Sequence, residues 1–193
     1  MQNEPIQAVE DGLRMVHSAV QNDGIASECA HISVITFENT ATQVEELKAV
    51  DDFQPPKLSA GGGTSFGAAL RKVVECAESE VRRTEGGEKD YKPCVYMMTD
   101  GAPTDSDWKS ALPKFKNYPW NYVVACAAGQ QADTTSLLEI TDKVIVLANA
   151  TADSMAKFFN FVSTTTTTGS HKGDGANQVI QDAYDALPPA MKP

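Results

Sequence analysis

The chain has 193 residues, 41% of them hydrophobic and 22% charged, which is typical of one globular domain with a full core. Its formal net charge of −10 argues against a nucleic-acid partner, because a phosphate backbone is bound by surplus Lys and Arg. No apolar run has membrane-spanning length and the N-terminus lacks a secretion signal, so the sequence predicts a cytoplasmic protein without a membrane partner.

The first half of the chain alternates predicted helices and strands. Apolar residues recur at three- and four-residue steps in 4–22 and 66–81, which predicts two amphipathic helices. Between them, β-branched residues at 31–37 and 42–47 predict a hairpin whose second strand is an antiparallel edge strand. A charged, glycine-bearing surface loop is predicted at 84–90.

The second half continues the alternation around apolar strands. Three runs predict strands of a mostly parallel sheet, at 94–98, 122–128 and 143–147. Helical spacing predicts three further helices, at 105–115 with Asp105 as its cap, at 134–140 and at 151–162. The whole pattern predicts an α/β three-layer sandwich that resembles a Rossmann-like sheet with one antiparallel edge strand.

The composition changes after residue 163. A run of five threonines at 164–168 is followed by a stretch rich in Gly, which predicts a flexible tail over 164–193. Apolar residues at 179–187 predict one short helix within it. The sequence therefore predicts a domain at 1–163 and a tail.

Two loops carry the functional signal. One is Gly-Gly-Gly-Thr-Ser at 61–65, which opens a helix, and the other is Met-Thr-Asp-Gly at 98–101, which ends an apolar strand. Ligands of open parallel sheets bind at the carboxyl ends of strands, where the Thr64 hydroxyl and the Asp100 carboxylate are expected to converge. Oxygen ligands of this kind favour a hard cation such as Mg2+.

The sequence around these loops resembles the von Willebrand factor A domain, especially a bacterial subgroup that accompanies tellurium-resistance and stress-response gene clusters. The resemblance covers residues from about 5 to 161. The matching stretches are Ser-Val-Ile-Thr-Phe at 33–37, Phe-Gln-Pro-Pro at 53–56, Gly-Gly-Gly-Thr at 61–64 and Met-Thr-Asp-Gly-Ala-Pro-Thr-Asp at 98–105.

The resemblance implies a metal-ion-dependent adhesion site built from three loops. Thr64 and Asp100 match the ligands of the second and third loops, and Gly63, Ser65, Gly101 and Asp105 flank them as expected partner-binding residues. The first loop of the family, Asp-x-Ser-x-Ser, has no counterpart in this sequence. The chain therefore resembles a truncated family member that lacks the opening central strand and the loop after it.

Loss of a mid-sheet strand would leave two neighbouring strands, at 31–37 and 94–98, without ladder partners. Three explanations are open: a misassigned start codon, which we favour, a separate segment that supplies the strand, or a sheet that closes over the gap. Because Mg2+ requires six oxygens, the chain is expected to bind it weakly or not at all.

The resemblance implies a non-enzymatic protein-binding module. Its partner would be a protein that presents a carboxylate, within a stress or tellurium-resistance assembly that could include a kinase and a phosphatase. The alternative is an α/β-hydrolase-like enzyme, because Gly-Thr-Ser-Phe-Gly at 63–67 matches G-x-S-x-G with Ser65 as the nucleophile. The segment before it does not resemble the buried strand that such an elbow follows.

Overall fold

The computed structural model describes residues 4–82 and 90–193. The helices are α1 Glu4–Gln21, α2 Ala26–Cys29, α3 Phe66–Glu80, α4 Leu112–Asn117, α5 Thr134–Ile140, α6 Ala152–Ser170 and α7 Asn177–Asp185. The strands are β1 His31–Phe37, β2 Ala41–Ala49, β3 Cys94–Thr99, β4 Tyr122–Ala128 and β5 Val144–Leu147. Short 3-10 turns occupy Trp108–Ala111, Gly173–Gly175 and Pro189–Met191. Apart from Asp90, the loop predicted at 84–90 lies outside the described residues.

The strands form two separate sheets rather than one. β3, β4 and β5 make a parallel sheet in that order, and β1 pairs with β2 in an antiparallel hairpin. Within the described ranges no ladder joins β1 to β3. The predicted α/β fold class is confirmed, and the sheet is divided between β1 and β3, the two strands expected to lack ladder partners.

Two apolar clusters cover the two faces of the parallel sheet. On one face, β4 and β5 pack with α1, α6 and α7 around Met155, Phe158 and Ile180. On the other face, Phe66 and Leu70 of α3 pack with the α4 and α5 regions. Helices on both faces of a sheet are the arrangement expected when parallel strands are buried.

Helix α1 lies very close to helix α6. A Cβ atom added at Gly12 would fall 2.0 Å from the ring of Phe159, so no larger residue fits there without a shift of that ring. Gly in a helix interior costs roughly 0.5–1 kcal/mol relative to Ala. The close approach of α1 and α6 accounts for a glycine at position 12 despite this cost.

The threonine run differs from its predicted state. Residues 164–168 lie inside helix α6, which continues to Ser170, and α7 follows, where only a short helix at 179–187 was expected. Thr165 is fully buried, and its hydroxyl donates to the carbonyl of Phe161 and therefore accepts from the hydroxyl of Tyr96, 2.6 Å away. Composition alone missed this helix because its polar side chains have tertiary partners.

The same hydroxyl chain extends to a second tyrosine. The hydroxyl of Tyr122 lies 2.7 Å from that of Tyr96, to which it donates. Burial raises the pKa of Tyr96 to about 12 and also raises the pKa of Tyr122. Both phenols therefore stay neutral over the physiological pH range. The chain of hydroxyl hydrogen bonds links helix α6 to strands β3 and β4.

Among the described residues, none of the helices combines the length and the apolar character needed to cross a membrane.

Candidate functional site

The glycine-rich loop at 61–65 crosses the end of the β1–β2 hairpin. Gly62 has a φ of +69°, and a Cβ there would lie 2.6 Å from the Glu38 carboxylate. Only glycine combines this left-handed backbone with so close an approach. Glycine at position 62 is therefore required by the packing of the loop against the hairpin turn.

The hairpin turn holds the loop through two hydrogen bonds. The backbone N–H of Ser65 donates to the carbonyl of Glu38 over 2.7 Å, and the N–H of Gly63 donates to Asn39 Oδ1 over 2.9 Å. Glu38 and Asn39 were not among the residues predicted for this site. Their signal was weak because a polar turn between two strands is common without any function.

The loop also binds the segment that follows β3. The N–H of Thr64 donates to Thr104 Oγ1 over 2.9 Å, and the N–H of Thr104 donates back to the Thr64 carbonyl over 3.0 Å. A Cβ added at Gly101 would lie 2.8 Å from Thr64 Oγ1. The Thr64 hydroxyl is thus packed against the residue next to Asp100, so the two loops meet, although the loop at 61–65 lies before helix α3 and not at the end of a strand as expected.

We call these three segments, the turn at 38–40 and the loops at 61–65 and 99–105, the crown. They gather at the carboxyl ends of β1 and β3, because Glu38 directly follows β1 and Asp100 directly follows β3. Thr64, Asp100 and Gly101 are only half-buried there. The crown therefore presents a hydroxyl and a carboxylate on its surface.

Asp105 has a different role from the one expected. It was predicted to cap the helix that follows it, but Asp107 begins that turn and makes no side-chain cap. The Asp105 carboxylate instead accepts from the N–H groups of Phe66 and Gly67, over 3.0 and 2.7 Å. Its charge thereby stabilises the N-terminus of α3, where the helix dipole favours an anion.

Ser65 completes this clamp. Its hydroxyl donates to Asp105 Oδ2 over 2.9 Å and accepts weakly from the N–H of Ala68, and the residue is only 6% exposed. The three histidine side chains form hydrogen bonds elsewhere: His17 with the carbonyl of Val50, His31 with that of Cys29 and His171 with the Asp23 carboxylate. Ser65 is thus a buried helix cap without a general base, which does not favour the hydrolase alternative.

The crown does not by itself supply a magnesium site. Of its three carboxylates, Asp105 is occupied by the α3 N-terminus and Glu38 lies against Gly62. The predicted ligands are Asp100 and the Thr64 hydroxyl. In the described part of the chain, no three His, Cys, Asp or Glu side chains converge in a group that could hold a metal ion. Mg2+ demands six oxygens in near-octahedral geometry, so these residues fit it poorly.

Comparison with known proteins identifies the fold. A family model described as von Willebrand factor type A domain matches residues 7–170. No curated protein sequence matches the chain.

Solved structures agree with the family match. The chain is similar to proximal thread matrix protein 1 of the mussel byssus with a zinc-occupied MIDAS motif, at 22% identity and a TM-score of 0.58 over 84% of this chain and 43% of that one. The chain is also similar to a von Willebrand factor type A protein from Catenulispora acidiphila, at 17% identity and a TM-score of 0.63 over 84% of this chain and 38% of that one.

A third similar structure is BatB from Bacteroides thetaiotaomicron, with 10% identity and a TM-score of 0.52 over 87% of this chain and 89% of that one. The chain spans less than half the length of the mussel and Catenulispora proteins. At these identities the three likenesses establish the fold and nothing finer.

Proposed function

Because the chain belongs to the von Willebrand factor type A domain family, whose members are protein-interaction modules, we propose that its crown is the partner-binding surface. One observation carries the proposal: the Thr64 hydroxyl is packed against Gly101, so the second and third loops of the family's site meet here. Gly63, Ser65 and Asp105 shape that surface through backbone contacts and the α3 clamp. We assign the protein no catalytic role.

The proposed partner is a protein that presents a carboxylate. In a complete site a metal ion would link such a group to Thr64 and Asp100. The mussel relative supports this kind of chemistry for the fold, since its structure holds zinc in that motif.

Partner capture by variants tests the crown. Immobilised wild-type protein and the variants Thr64→Val and Asp100→Asn would be exposed to an extract of the source cells. A partner that uses the crown should bind the wild type and be lost with both variants. The matched control is Asp107→Asn, which alters an exposed carboxylate that makes no cap hydrogen bond. Equal capture by Thr64→Val, Asp100→Asn and the wild type would refute the assignment.

Metal binding is tested by thermal unfolding. With one hydroxyl and one carboxylate, a dissociation constant near 10 mM or weaker is expected, and 1 mM Mg2+ would then stabilise the fold by only about 0.06 kcal/mol. The melting temperature should not change when Mg2+ replaces EDTA. A version that also carries an apolar strand and an Asp-x-Ser-x-Ser loop should show a change. Equal responses would contradict the proposal.

A cellular setting is part of the same proposal. The stretch at 98–105 supports a stress or tellurium-resistance assembly, with a kinase and a phosphatase as candidate members. Cys29, Cys76, Cys94 and Cys126 are all free thiols, which supports a reducing compartment such as the cytoplasm. Gene neighbourhood is the direct test, since a locus without any such genes would contradict this setting.

A further inference from the structure

A cavity opens at the end of the parallel sheet that lies opposite the crown. It has a volume of about 550 Å3 and lies beside Tyr122, the first residue of β4, and Lys143, which directly precedes β5. The last turns of α4 and α5 and the first residue of α7, Asn177, form its other walls. Small-molecule sites in proteins occupy about 300–1,000 Å3, so this space is large enough for a ligand. We call it the basal cavity.

An aromatic wall of the basal cavity is held in a fixed orientation. The indole of Trp120 lines the cavity and donates from Nε1 to the carbonyl of Phe115 over 2.7 Å. Its ring centroid lies 4.2 Å from that of Tyr118 and 5.2 Å from that of Phe115, so two further rings support it. Trp120 is only half-buried. Part of its surface therefore remains available to a flat apolar group.

Helix α7, which follows the region matched by the family model, is fixed beside this wall. Asn121, next to Trp120, donates from Nδ2 to the carbonyl of Gly173 over 3.1 Å, and Tyr184 of α7 donates to the carbonyl of Val144 over 3.0 Å. The family match ends at residue 170, so Asn177 lies in a part of the chain beyond it. Membership of the family therefore does not account for this cavity.

The charges around the basal cavity favour an anion. Lys116 and Lys143 line it, and among its lining residues in the described ranges Asp142 is the single carboxylate, which gives two positive charges against one negative. The Lys143 side chain is only 17% exposed, whereas that of Asp142, whose Oδ1 lies 3.2 Å from the Lys143 Nζ, is 84% exposed. The site is thus positive by one charge on a chain whose net charge is −10. A concave site of one sign attracts ions of the opposite sign.

We propose that the basal cavity binds a small aromatic carboxylate. The ring of the ligand packs against Trp120, and its carboxylate lies beside the ammonium groups of Lys116 and Lys143. A ligand charge of −1 balances the excess positive charge of the lining, whereas a dianion such as a phosphate monoester would exceed it. Aromatic contact and charge-assisted hydrogen bonds act on different parts of the ligand, so both parts are needed.

Nuclear magnetic resonance of the 15N-labelled whole chain tests the proposal, with 2-naphthoate as the probe. The indole N–H signal of Trp120 should shift in a saturable way, with a dissociation constant on the order of 1 mM for a ligand of this size. The indole signal of Trp108, which is 5% exposed and packs on Phe66 of α3, should stay in place as an internal control.

Three further compounds separate the contributions of charge and ring. The neutral 2-naphthamide has the same ring and should bind at least about tenfold more weakly, because it lacks the charge-assisted hydrogen bond. Acetate has the charge without the ring and should cause no shift. The dianion 2-naphthyl phosphate should bind no more tightly than 2-naphthoate.

Variants place the ligand in the cavity. Lys143→Met should weaken binding of 2-naphthoate by about tenfold, and Lys116→Met, at an exposed position, by about threefold. The matched control is Lys114→Met, since Lys114 pairs with Glu78 outside the cavity and should leave the affinity unchanged. Leu138→Glu places a negative charge in the lining at a side chain that is 46% exposed, and it should abolish binding without unfolding the chain.

Four results would overturn the proposal. Absence of a Trp120 shift at 10 mM 2-naphthoate would remove the site, and equal affinity for 2-naphthamide would remove the role of the lysines. Tighter binding of 2-naphthyl phosphate would replace a carboxylate ligand with a dianion. Unchanged binding by Leu138→Glu would place the ligand elsewhere. These measurements do not use Thr64 or Asp100, so the proposed function of the crown stands or fails separately.

Discussion

The two sheets of this domain are stabilised in different ways. In the parallel sheet, six of the seven residues of β4 are buried, and Val124, Ala125 and Cys126 have no exposed surface. In the hairpin, β1 has no buried residue, although four of its seven residues are apolar and four are β-branched. β5 also pairs on one edge only, yet three of its four residues are buried, so burial here follows from the apolar clusters that cover a strand rather than from pairing on both of its edges.

Polar contacts hold the hairpin where the ladder is missing. The Glu80 carboxylate at the end of α3 accepts from the Gln43 side chain and from the N–H of Leu47 on β2. His17 of α1 lies 2.9 Å from the carbonyl of Val50, just after β2. Each such bond contributes on the order of 1 kcal/mol, so the hairpin depends on a set of specific contacts.

Truncation of one isoleucine in each sheet should give the largest difference in the free energy of unfolding between the two regions. Ile145 of β5 is fully buried, and Ile145→Ala is expected to lower the free energy of unfolding by about 2–5 kcal/mol through lost burial and a residual cavity. Ile35 of β1 is half-buried, so Ile35→Ala should cost roughly 1 kcal/mol, in line with the smaller apolar area it removes from water. Urea unfolding of both variants measures the difference.

Equal losses would break the comparison, because they would mean that β1 is packed as tightly as β5.

The clamp at Asp105 connects the two regions and should give the next largest effect. Asp105→Ala removes acceptors from Phe66 and Gly67 N–H and from the Ser65 hydroxyl. Loss of a helix cap and a charge-assisted bond predicts destabilisation by about 2 kcal/mol. The matched variant Asp107→Ala, two residues away and exposed, should change stability by less than about 0.5 kcal/mol. Thermal unfolding compares them, and similar melting temperatures would contradict the clamp.

The same contrast explains what the sequence could predict. Periodicity located β3, β4 and β5 and the longer helices because local spacing and burial agree there. The meeting of Thr64 with the loop after β3 was predicted, although only the loop after β3 directly follows a strand, because the loop at 61–65 begins helix α3. The division of the sheet was accessible only through the family resemblance, because nothing in residues 31–37 marks an unpaired edge.

Other features depend on contacts between distant residues. Asp105 caps helix α3 rather than the turn beside it, and Gly67, whose N–H donates to Asp105, lies 38 residues earlier in the sequence. The helical state of the threonine run is stabilised by the hydrogen bond between Thr165 and Tyr96, which lie 69 residues apart in the sequence. Local composition contains no signal for either partner, so both were assigned to the nearest local structure.

The smallest predicted effect concerns the segment that leaves the hairpin. The Glu10 side chain, only 6% exposed on α1, accepts from Lys57 Nζ over 3.0 Å and from the N–H of Leu58 over 2.8 Å. These bonds, that of Leu58 first, lower the pKa of Glu10 below its ordinary value of 4.5. A carboxyl whose pKa is lowered by folding stabilises the fold above its unfolded pKa, and this contribution is lost as the pH falls through the folded value.

Glu10→Gln should therefore melt at a lower temperature than the wild type above about pH 5, and the gap should close as the pH falls below 4.5. The control is Glu75→Gln, whose carboxylate pairs with Lys72 on the surface and should contribute less than about 0.5 kcal/mol at any pH. Melting curves between pH 3 and 7 measure both variants. A difference in melting temperature for Glu10→Gln that persists unchanged at acid pH would show that Glu10 stabilises the contact with Lys57 and Leu58 through packing rather than through its charge.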